Sequence, residues 1–229
     1  MNAPGHQDPV AQVSIMIFST LRPFPGLAAL LLPFFLTACA GFAPEQRDAA
    51  HAERLWVMRN DALADMNWIL SGRVAVKSAQ GSWQAMLTWR QVADHYAINF
   101  QSPFGQLVAR LMGDDQGVSL YLPDDRVLTS DDPAALLREQ LGWAVPVAGL
   151  SSWVVGVPAD GDVAGKAIDD KGRLRRLDQQ GWSIDYARYA RVGNVDMPGR
   201  VRLKRDDMSI RLVIDRWELH GDGAPGQET

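Results

Sequence analysis

The sequence predicts a mainly β fold with some helix (α+β), in which one large antiparallel sheet curls and amphipathic helices cover its apolar face. From residue 68 onward, apolar and polar residues alternate in short segments, as they do in half-buried strands. Short turn sequences separate these segments, which favours an antiparallel meander. Helical spacing of apolar residues occurs before the first strand and twice in the middle of the chain.

The composition is that of a globular domain of moderate size. The chain has 229 residues, of which 47% are apolar and 22% charged, and its formal net charge is −4. These values rule out wholesale disorder, a collagen-like repeat and a protein with many membrane spans. The acidic balance argues against a nucleic-acid-binding protein. The single cysteine excludes an intramolecular disulfide and a cysteine-based metal cluster.

The N-terminal region is predicted to be a lipoprotein signal peptide. The apolar segment 26–38 carries no charge and is shorter than the ~20 residues of a membrane span. It ends in residues 36–39 (Leu-Thr-Ala-Cys), which resemble the lipobox of bacterial lipoproteins. The resemblance implies that residues 1–38 are removed and that Cys39 is the lipid attachment site. A start at Met16 would leave this signal intact.

A tether and an amphipathic helix are predicted to follow the signal. Residues 39–47 form the lipidated N-terminus and a small, polar segment typical of a flexible tether. Asp48 is the predicted N-cap of the helix, and Arg59 interrupts its apolar stripe. The folded domain is assigned to residues 48–219, and a loop tail to 220–229. The stripe consists of Ala52, Leu55, Trp56, Leu63 and Met66.

Period-two alternation predicts roughly eleven strands. In the first strand, one face carries Trp68, Leu70, Gly72, Val74 and Val76. In the second, one face carries Trp83, Ala85, Leu87 and Trp89. Further strands begin with Tyr96, Ile98 and Phe100 and continue through the segments LVARLM, GVSLYL, RVLTS, RLRRLDQ, WSIDYARYA, GRVRLKR and MSIRLVIDRWEL. A single antiparallel sheet of this size is expected to curl.

Two helices interrupt the strands. Asp131 or Asp132 can cap the first helix, Pro133 occupies its first position, and Gly142 ends it. The second helix follows Pro146 and stops at Gly156. One of its faces carries Leu150, Trp153 and Val154.

The motifs of catalysis and cofactor binding are absent or out of context. The GxGxxG match at residues 221–226 follows no buried parallel strand and precedes no helix. The segment 161–167 is one residue short of a P-loop. There is no HExxH or GxSxG motif, and the paired aspartates fall at turns and caps. The sequence therefore predicts no enzyme, no catalytic residue, no metal site and no cofactor.

The features taken together resemble the LolB family of outer-membrane lipoproteins. The resemblance covers nearly the whole mature chain. Each motif alone is weak, but their order and spacing are specific. The matching positions are residues 68–73, 83–89, 102–106, 141–146, 150–158, 180–186, Pro198 and 214–217.

The resemblance implies a fold and a function. LolB-like proteins are unclosed antiparallel half-barrels with an α-helical lid, and acyl chains occupy the apolar cavity between sheet and lid. They accept triacylated lipoproteins from the periplasmic carrier LolA and insert them into the outer membrane without ATP. We therefore expect a monomeric chaperone that Cys39 anchors to the periplasmic face of the outer membrane and that binds no nucleic acid.

Ten residues are candidates for the wall of the acyl-chain cavity. A dry, closed core would use the same side chains, so both interpretations stay open. The strand candidates are Trp83, Leu87, Trp89, Tyr96, Ile98 and Phe100, and the lid candidates are Leu136, Leu137, Leu150 and Trp153.

The segment Ser102-Pro103-Phe104-Gly105 has the composition of a β-turn, with proline at its second position. A large aromatic residue at a turn tip is poorly placed for burial. By resemblance, Pro103, Phe104 and Gly105 form the loop whose protruding apolar residue passes lipoproteins into the membrane. The alternative is that Phe104 folds back onto the sheet.

Charge and overall function leave further alternatives. Residues 166–216 hold 13 basic and 8 acidic side chains. These side chains either form the solvated outer faces of strands or form a basic rim that steers an acidic partner. Two other function classes also stay open. One is a lipocalin-like lipoprotein that binds a small apolar ligand, and the other is a structural lipoprotein of an outer-membrane assembly complex.

Overall fold

The computed structural model describes residues 44–79, 81–141 and 147–220. The three predicted helices lie within these ranges. The first begins at Pro44 rather than after Asp48, so residues 44–47, predicted as tether, form its first turn. The helices are α1 (Pro44–Ala64), α2 (Pro133–Leu141) and α3 (Val147–Val155).

The same ranges contain thirteen strands, eleven of which belong to one sheet. The strands before the lid helices are β1 (Asn67–Ser78), β2 (Gly81–Val92), β3 (His95–Gln101), β4 (Leu107–Gly113), β5 (Val118–Tyr121) and β6 (Val127–Ser130). Those after them are β7 (Val163–Ile168), β8 (Leu174–Gln179), β9 (Trp182–Ala187), β10 (Ala190–Val192), β11 (Val195–Met197), β12 (Arg200–Arg205) and β13 (Met208–His220).

The first and last strands meet at the centre of the sheet. The strand order is β6-β5-β4-β3-β2-β1-β13-β12-β9-β8-β7, and neighbouring strands run antiparallel. Strands β1 to β6 form the predicted meander. The edge strands β6 and β7 do not pair with each other within the described ranges. The sheet is therefore an unclosed half-barrel, which confirms the predicted fold class.

Alternating burial along each strand gives the sheet an apolar inner face. In β1, Leu70, Val74 and Val76 are buried, whereas Arg73 and Lys77 are exposed. The same alternation in the neighbouring strands places their apolar side chains on one side. Burial of this face against the helices is the main stabilising contribution to the fold.

A bulge in β13 lies beside a glycine in β1. The register between these strands shifts at Gly72, and Asp215 of β13 has no pairing partner in β1. A Cβ atom on Gly72 would overlap the carbonyl oxygen of Val213, so this close approach of two backbones requires glycine. Bulges increase local twist, which favours curling of the sheet at its centre.

The segment predicted as one strand, WSIDYARYA, is divided in the structure. Strand β9 ends at Ala187, and Arg188 adopts a positive φ of 59° that takes the chain out of the sheet. Strands β10 and β11 then form a separate hairpin in which Val195 and Met197 are buried. This interpretation of the sequence was wrong because backbone conformation at Arg188 leaves no signal in the alternation of side chains.

Helix α2 begins, and helix α3 ends, at signals that the sequence contains. The carboxylate of Asp132 caps α2 by accepting a hydrogen bond from the Ala135 N–H at 2.9 Å. At the end of α3, Gly156 has a φ of +78° and donates its N–H to the Trp153 carbonyl at 3.0 Å. No helix among the described residues is long and apolar enough to cross a membrane.

Candidate functional site

A narrow apolar cavity of about 80 Å³ lies between the inner face of the sheet and the lid helices. Its lining comes from six strands on one side and from α2 and α3 on the other. No lining side chain is polar apart from the indole of a tryptophan. The thirteen lining residues are Val74, Val76, Leu87, Trp89, Ile98, Phe100, Leu111, Leu137, Leu150, Val154, Leu203, Ile210 and Leu212.

Six of the ten predicted cavity residues lie together around this space. They are Leu87, Trp89, Ile98, Phe100, Leu137 and Leu150. The other seven were not predicted as cavity residues, although they lie at inward positions of their elements. Period-two and helical spacing identify an inward position, but pairing order decides which of these positions face the lid.

Three of the remaining candidates are buried or half-buried but do not line this cavity. Leu136 is in the core. Trp83 packs edge-on against Phe100, with ring centroids 5.5 Å apart. Tyr96 has a buried hydroxyl with no hydrogen-bond partner among the described residues, and burial raises the pKa of Tyr96 to about 12. Tyr96 is therefore neutral at physiological pH.

Trp153, the fourth candidate, anchors the lid rather than lining the cavity. It is fully buried, and its indole N–H donates to the side-chain oxygen of Gln179 in β8 at 2.8 Å. The same oxygen accepts the Ala159 N–H at 2.9 Å, and the Gln179 amide donates to the Ala159 carbonyl at 2.7 Å. This buried polar cluster satisfies each of its members, so it ties α3 to the sheet without an energetic penalty.

The side chain of Arg59 in α1 forms a second set of hydrogen bonds, here called a tie like that of Trp153, at the same end of α3. Its guanidinium donates to the carbonyls of Val155 and Gly156, each at 2.7 Å, and to the Asp196 carbonyl at 3.0 Å. Burial lowers the pKa of Arg59, but an arginine stays charged in proteins. The positive group therefore sits where the helix dipole is negative and satisfies carbonyls that the helix end leaves free.

The two ties leave the lid fixed at one end. Trp153 and Arg59 both act on the C-terminal half of α3, whereas Leu150, nearer its start, lies over the cavity. Pockets that hold drug-sized ligands have volumes of about 300–1,000 Å³. A ligand of that size would require this cavity to widen several-fold. Among the described residues, both of these ties hold the C-terminal half of α3.

The loop between β3 and β4 is a tight, well-bonded turn. The Gly105 N–H donates to the Ser102 carbonyl at 2.9 Å, and the Ser102 N–H donates to the Gln106 carbonyl at 2.8 Å. Gly105 has a φ of +81°, the left-handed conformation that closes a three-residue hairpin loop. Pro103 and Phe104 occupy the two positions before it.

Phe104 projects from this turn into solvent. Its side chain is 92% exposed, the highest value among the exposed large apolar residues of the described chain. Phe104 therefore does not fold back onto the sheet. Leu107, the first residue of β4, is also partly exposed, at 39%. The turn thus presents an apolar tip on a rigid base.

Cys39, the predicted lipid attachment site, lies outside the described residues, as does Gly142. Among the residues that the structure describes, no group of three or more His, Cys, Asp or Glu side chains could hold a metal ion.

Comparison with known proteins gives consistent matches. The family model for outer membrane lipoprotein LolB matches residues 66–217. The chain is 34% identical over 195 residues to outer-membrane lipoprotein LolB of Nitrosococcus oceani, covering 84% of this chain and 97% of that protein. It is 34% identical over 200 residues to the LolB of Pseudomonas aeruginosa, covering 86% and 96%. The solved structure of a LolA superfamily protein from Nitrosomonas europaea covers 77% of this chain and 93% of that chain, with 7% identity and a TM-score of 0.46.

Proposed function

The chain belongs to the outer membrane lipoprotein LolB family, and from this we propose that it is a lipoprotein receptor. It accepts triacylated lipoproteins from a periplasmic LolA-like carrier and inserts them into the outer membrane. It uses no ATP and no cofactor and catalyses no covalent reaction. The lipids on Cys39 hold it, as a monomer, on the periplasmic face of that membrane.

The observation that carries this proposal is the apolar cavity under the lid. A space lined by aliphatic and aromatic side chains binds acyl chains through burial of apolar surface, at about 0.8 kcal/mol per CH₂ group. Such a space does not read the sequence of the attached protein. It therefore suits a receptor that handles many lipoproteins through the one group they share.

Transfer without ATP requires the affinity for acyl chains to increase at each step of the route. The receptor must hold acyl chains more tightly than the carrier and less tightly than the bilayer, and each 1.4 kcal/mol changes the partition about tenfold. A cavity that is narrow when empty helps to set this balance. Part of the binding energy is used to move the lid, which keeps the affinity below that of the bilayer.

We assign the delivery of lipoproteins into the membrane to Phe104. A rigid, exposed aromatic side chain can enter the headgroup region of a bilayer, where full burial of a phenylalanine contributes about 1.5–3 kcal/mol. This is too little to anchor the protein. It is enough to hold the loop against the membrane surface while acyl chains leave the cavity.

A transfer assay tests the proposal directly. The mature chain carrying Cys39→Ala is mixed with a lipoprotein-loaded LolA-like carrier, and the location of the lipoprotein is followed by affinity capture of each protein. We expect the lipoprotein to move to this chain and then into added liposomes. If a well-folded sample leaves all lipoprotein on the carrier, the receptor function is wrong. A small apolar metabolite found in the purified protein would instead support the lipocalin-like alternative.

A further inference from the structure

The outer face of the sheet contains a groove lined by cations. It lies on β1, β2, β12 and β13, with its basic side chains on the face opposite the apolar cavity, and has a volume of about 620 Å³. None of its lining residues is acidic. The basic side chains in it are Lys77, Arg202, Lys204 and Arg211.

The pairing register forces these cations together. Arg202 lies directly opposite Arg211, and Lys77 and Lys204 both lie opposite Ser209, one on each side of β13. Like charges directly opposite each other on neighbouring strands are destabilising. The fold therefore tolerates a local repulsion that an anion would relieve.

None of the four cations forms an ion pair within the described chain. Asp185, which lies opposite Arg202 on β9, contacts Arg176 instead, at 3.9 Å. Elsewhere on the same outer face the usual pairing occurs, since Arg73 and Asp215 form a salt bridge at 3.0 Å. The positive charge in the groove is therefore available to a partner.

The groove lies at the same end of the sheet as Phe104. Because Gln101 pairs with Met86, the loop after β3 runs beside the first residues of β2, and Lys77 pairs with Ser82 in that stretch. Lys77 is therefore level with the Phe104 loop along the strand axis. Three strand spacings separate β3 from β13, a distance of about 14 Å. A flat surface that meets one feature at this end of the sheet is close to the other.

We propose that this basic groove binds the phosphate groups of anionic phospholipids while Phe104 enters the same membrane. Arginine holds phosphate oxygens through paired N–H donors, and lysine acts as a compact charge beside it. The continuity with an exposed aromatic tip favours a lipid surface over an acidic protein, because aromatic and basic groups together are what an anionic interface attracts. The two contacts fix the direction in which the half-barrel faces the bilayer. The membrane role of Phe104 rests on the proposed function, but binding to anionic vesicles does not.

Vesicle binding tests the groove separately from lipoprotein transfer. The mature chain with Cys39→Ala, which removes the lipid anchor, is sedimented with vesicles of phosphatidylcholine alone or mixed with phosphatidylglycerol. The test variant is Arg202→Gln with Arg211→Gln. The matched control is Arg54→Gln with Arg175→Gln, which removes the same charge from exposed positions outside the groove. Far-UV circular dichroism and thermal melting establish that each variant is folded.

The expected result is binding that depends on phosphatidylglycerol, falls with added salt and drops in the groove variant only. One basic residue at an anionic surface changes the partition about fivefold, so the double variant should bind roughly 25-fold more weakly. Equal losses in both double variants would reduce the effect to net charge and overturn the proposal. Normal vesicle binding by the groove variant, with slower uptake from the carrier, would assign the groove to an acidic protein instead. A failure of lipoprotein transfer with intact vesicle binding would overturn the proposed function, but the assignment of the groove to anionic phospholipids would still hold.

Discussion

Phe104 is an apolar side chain in a polar setting. Its exposure is enforced by the backbone, because the hydrogen bonds between Ser102 and Gln106 close the turn beneath it. Large apolar groups that are exposed to solvent in the folded protein often belong to interaction sites. Since the side chain has few intramolecular neighbours to lose, its substitution is expected to affect function without affecting the fold.

We expect Phe104→Glu to fold and to accept lipoprotein from the carrier, but to fail to release it into liposomes. The charge opposes entry into the interface, whereas Phe104→Leu keeps the apolar bulk and should deliver at nearly the normal rate. Unfolding free energies of both variants should stay within about 0.5 kcal/mol of the original. Delivery at the normal rate by Phe104→Glu would show that the loop has no role in membrane contact.

Cys39 is expected to be the mature N-terminus and to carry three acyl chains. Residues 36–39 resemble the lipobox of bacterial lipoproteins, and two or more chains are needed for stable anchoring. Mass spectrometry of the protein extracted from membranes should detect an acylated peptide that begins at Cys39. Detection of a mature chain that begins at Met1 or Met16 would contradict this.

We expect helix α3 to be the element of the proposed receptor that moves when the cavity fills. Its C-terminal half is held by the Trp153–Gln179 hydrogen bond and by the contacts of Arg59 with its last carbonyls. Hydrogen bonds to a charged group contribute about 1.5–3 kcal/mol each, so Arg59 is the stronger of the two ties. It joins the end of α3 to α1 and to the β10–β11 hairpin, so we expect it to control how readily α3 separates from them.

We expect Arg59→Met to loosen α3 without disrupting the sheet. The carbonyls of Val155, Gly156 and Asp196 lose their donor, which should lower the free energy of unfolding by about 3 kcal/mol. Hydrogen exchange should accelerate in α3 and remain slow in β1 and β2. Arg54→Met, one and a half turns earlier on the exposed side of α1, is the matched control and should change neither quantity. Unchanged exchange in α3 would mean that Arg59 does not control the lid.

The sequence predicted those elements whose cause is local. The alternation in β1 and β2, the cap at Asp131 or Asp132 and the glycine stop at Gly156 each depend on residues close together in the chain. The structure contains all of them, with Asp132 as the capping residue. Arg59 and Gln179 escaped prediction because their partners lie far away in sequence. The one available signal was a charged residue within the apolar stripe of a helix.

The whole molecule separates two chemical surfaces by the thickness of one sheet. The inner face and lid enclose an apolar space, whereas the outer face carries the basic groove. Leu212 and Arg211 are adjacent residues that line the apolar space and the groove, respectively. Alternation in a strand makes this possible, since successive side chains point to opposite faces. A membrane can thus be contacted by one face and one loop while acyl chains are held by the other face.

We expect the inner space to bind a fluorescent apolar probe saturably, and lipoprotein to displace it. Leu150→Glu tests whether the probe occupies the cavity, because it places a carboxylate on the lid facing a wall that offers no hydrogen bond. Leu150 is only partly buried, so the variant should fold, with the new charge turning toward solvent when the cavity is empty. Probe affinity should fall at least tenfold, a loss of about 1.4 kcal/mol. Gln140→Glu adds the same charge at an exposed position of α2 and should leave the affinity unchanged. Equal affinities for both variants would place the probe elsewhere, and no binding by the folded original chain would mean that the space beneath the lid is a dry core.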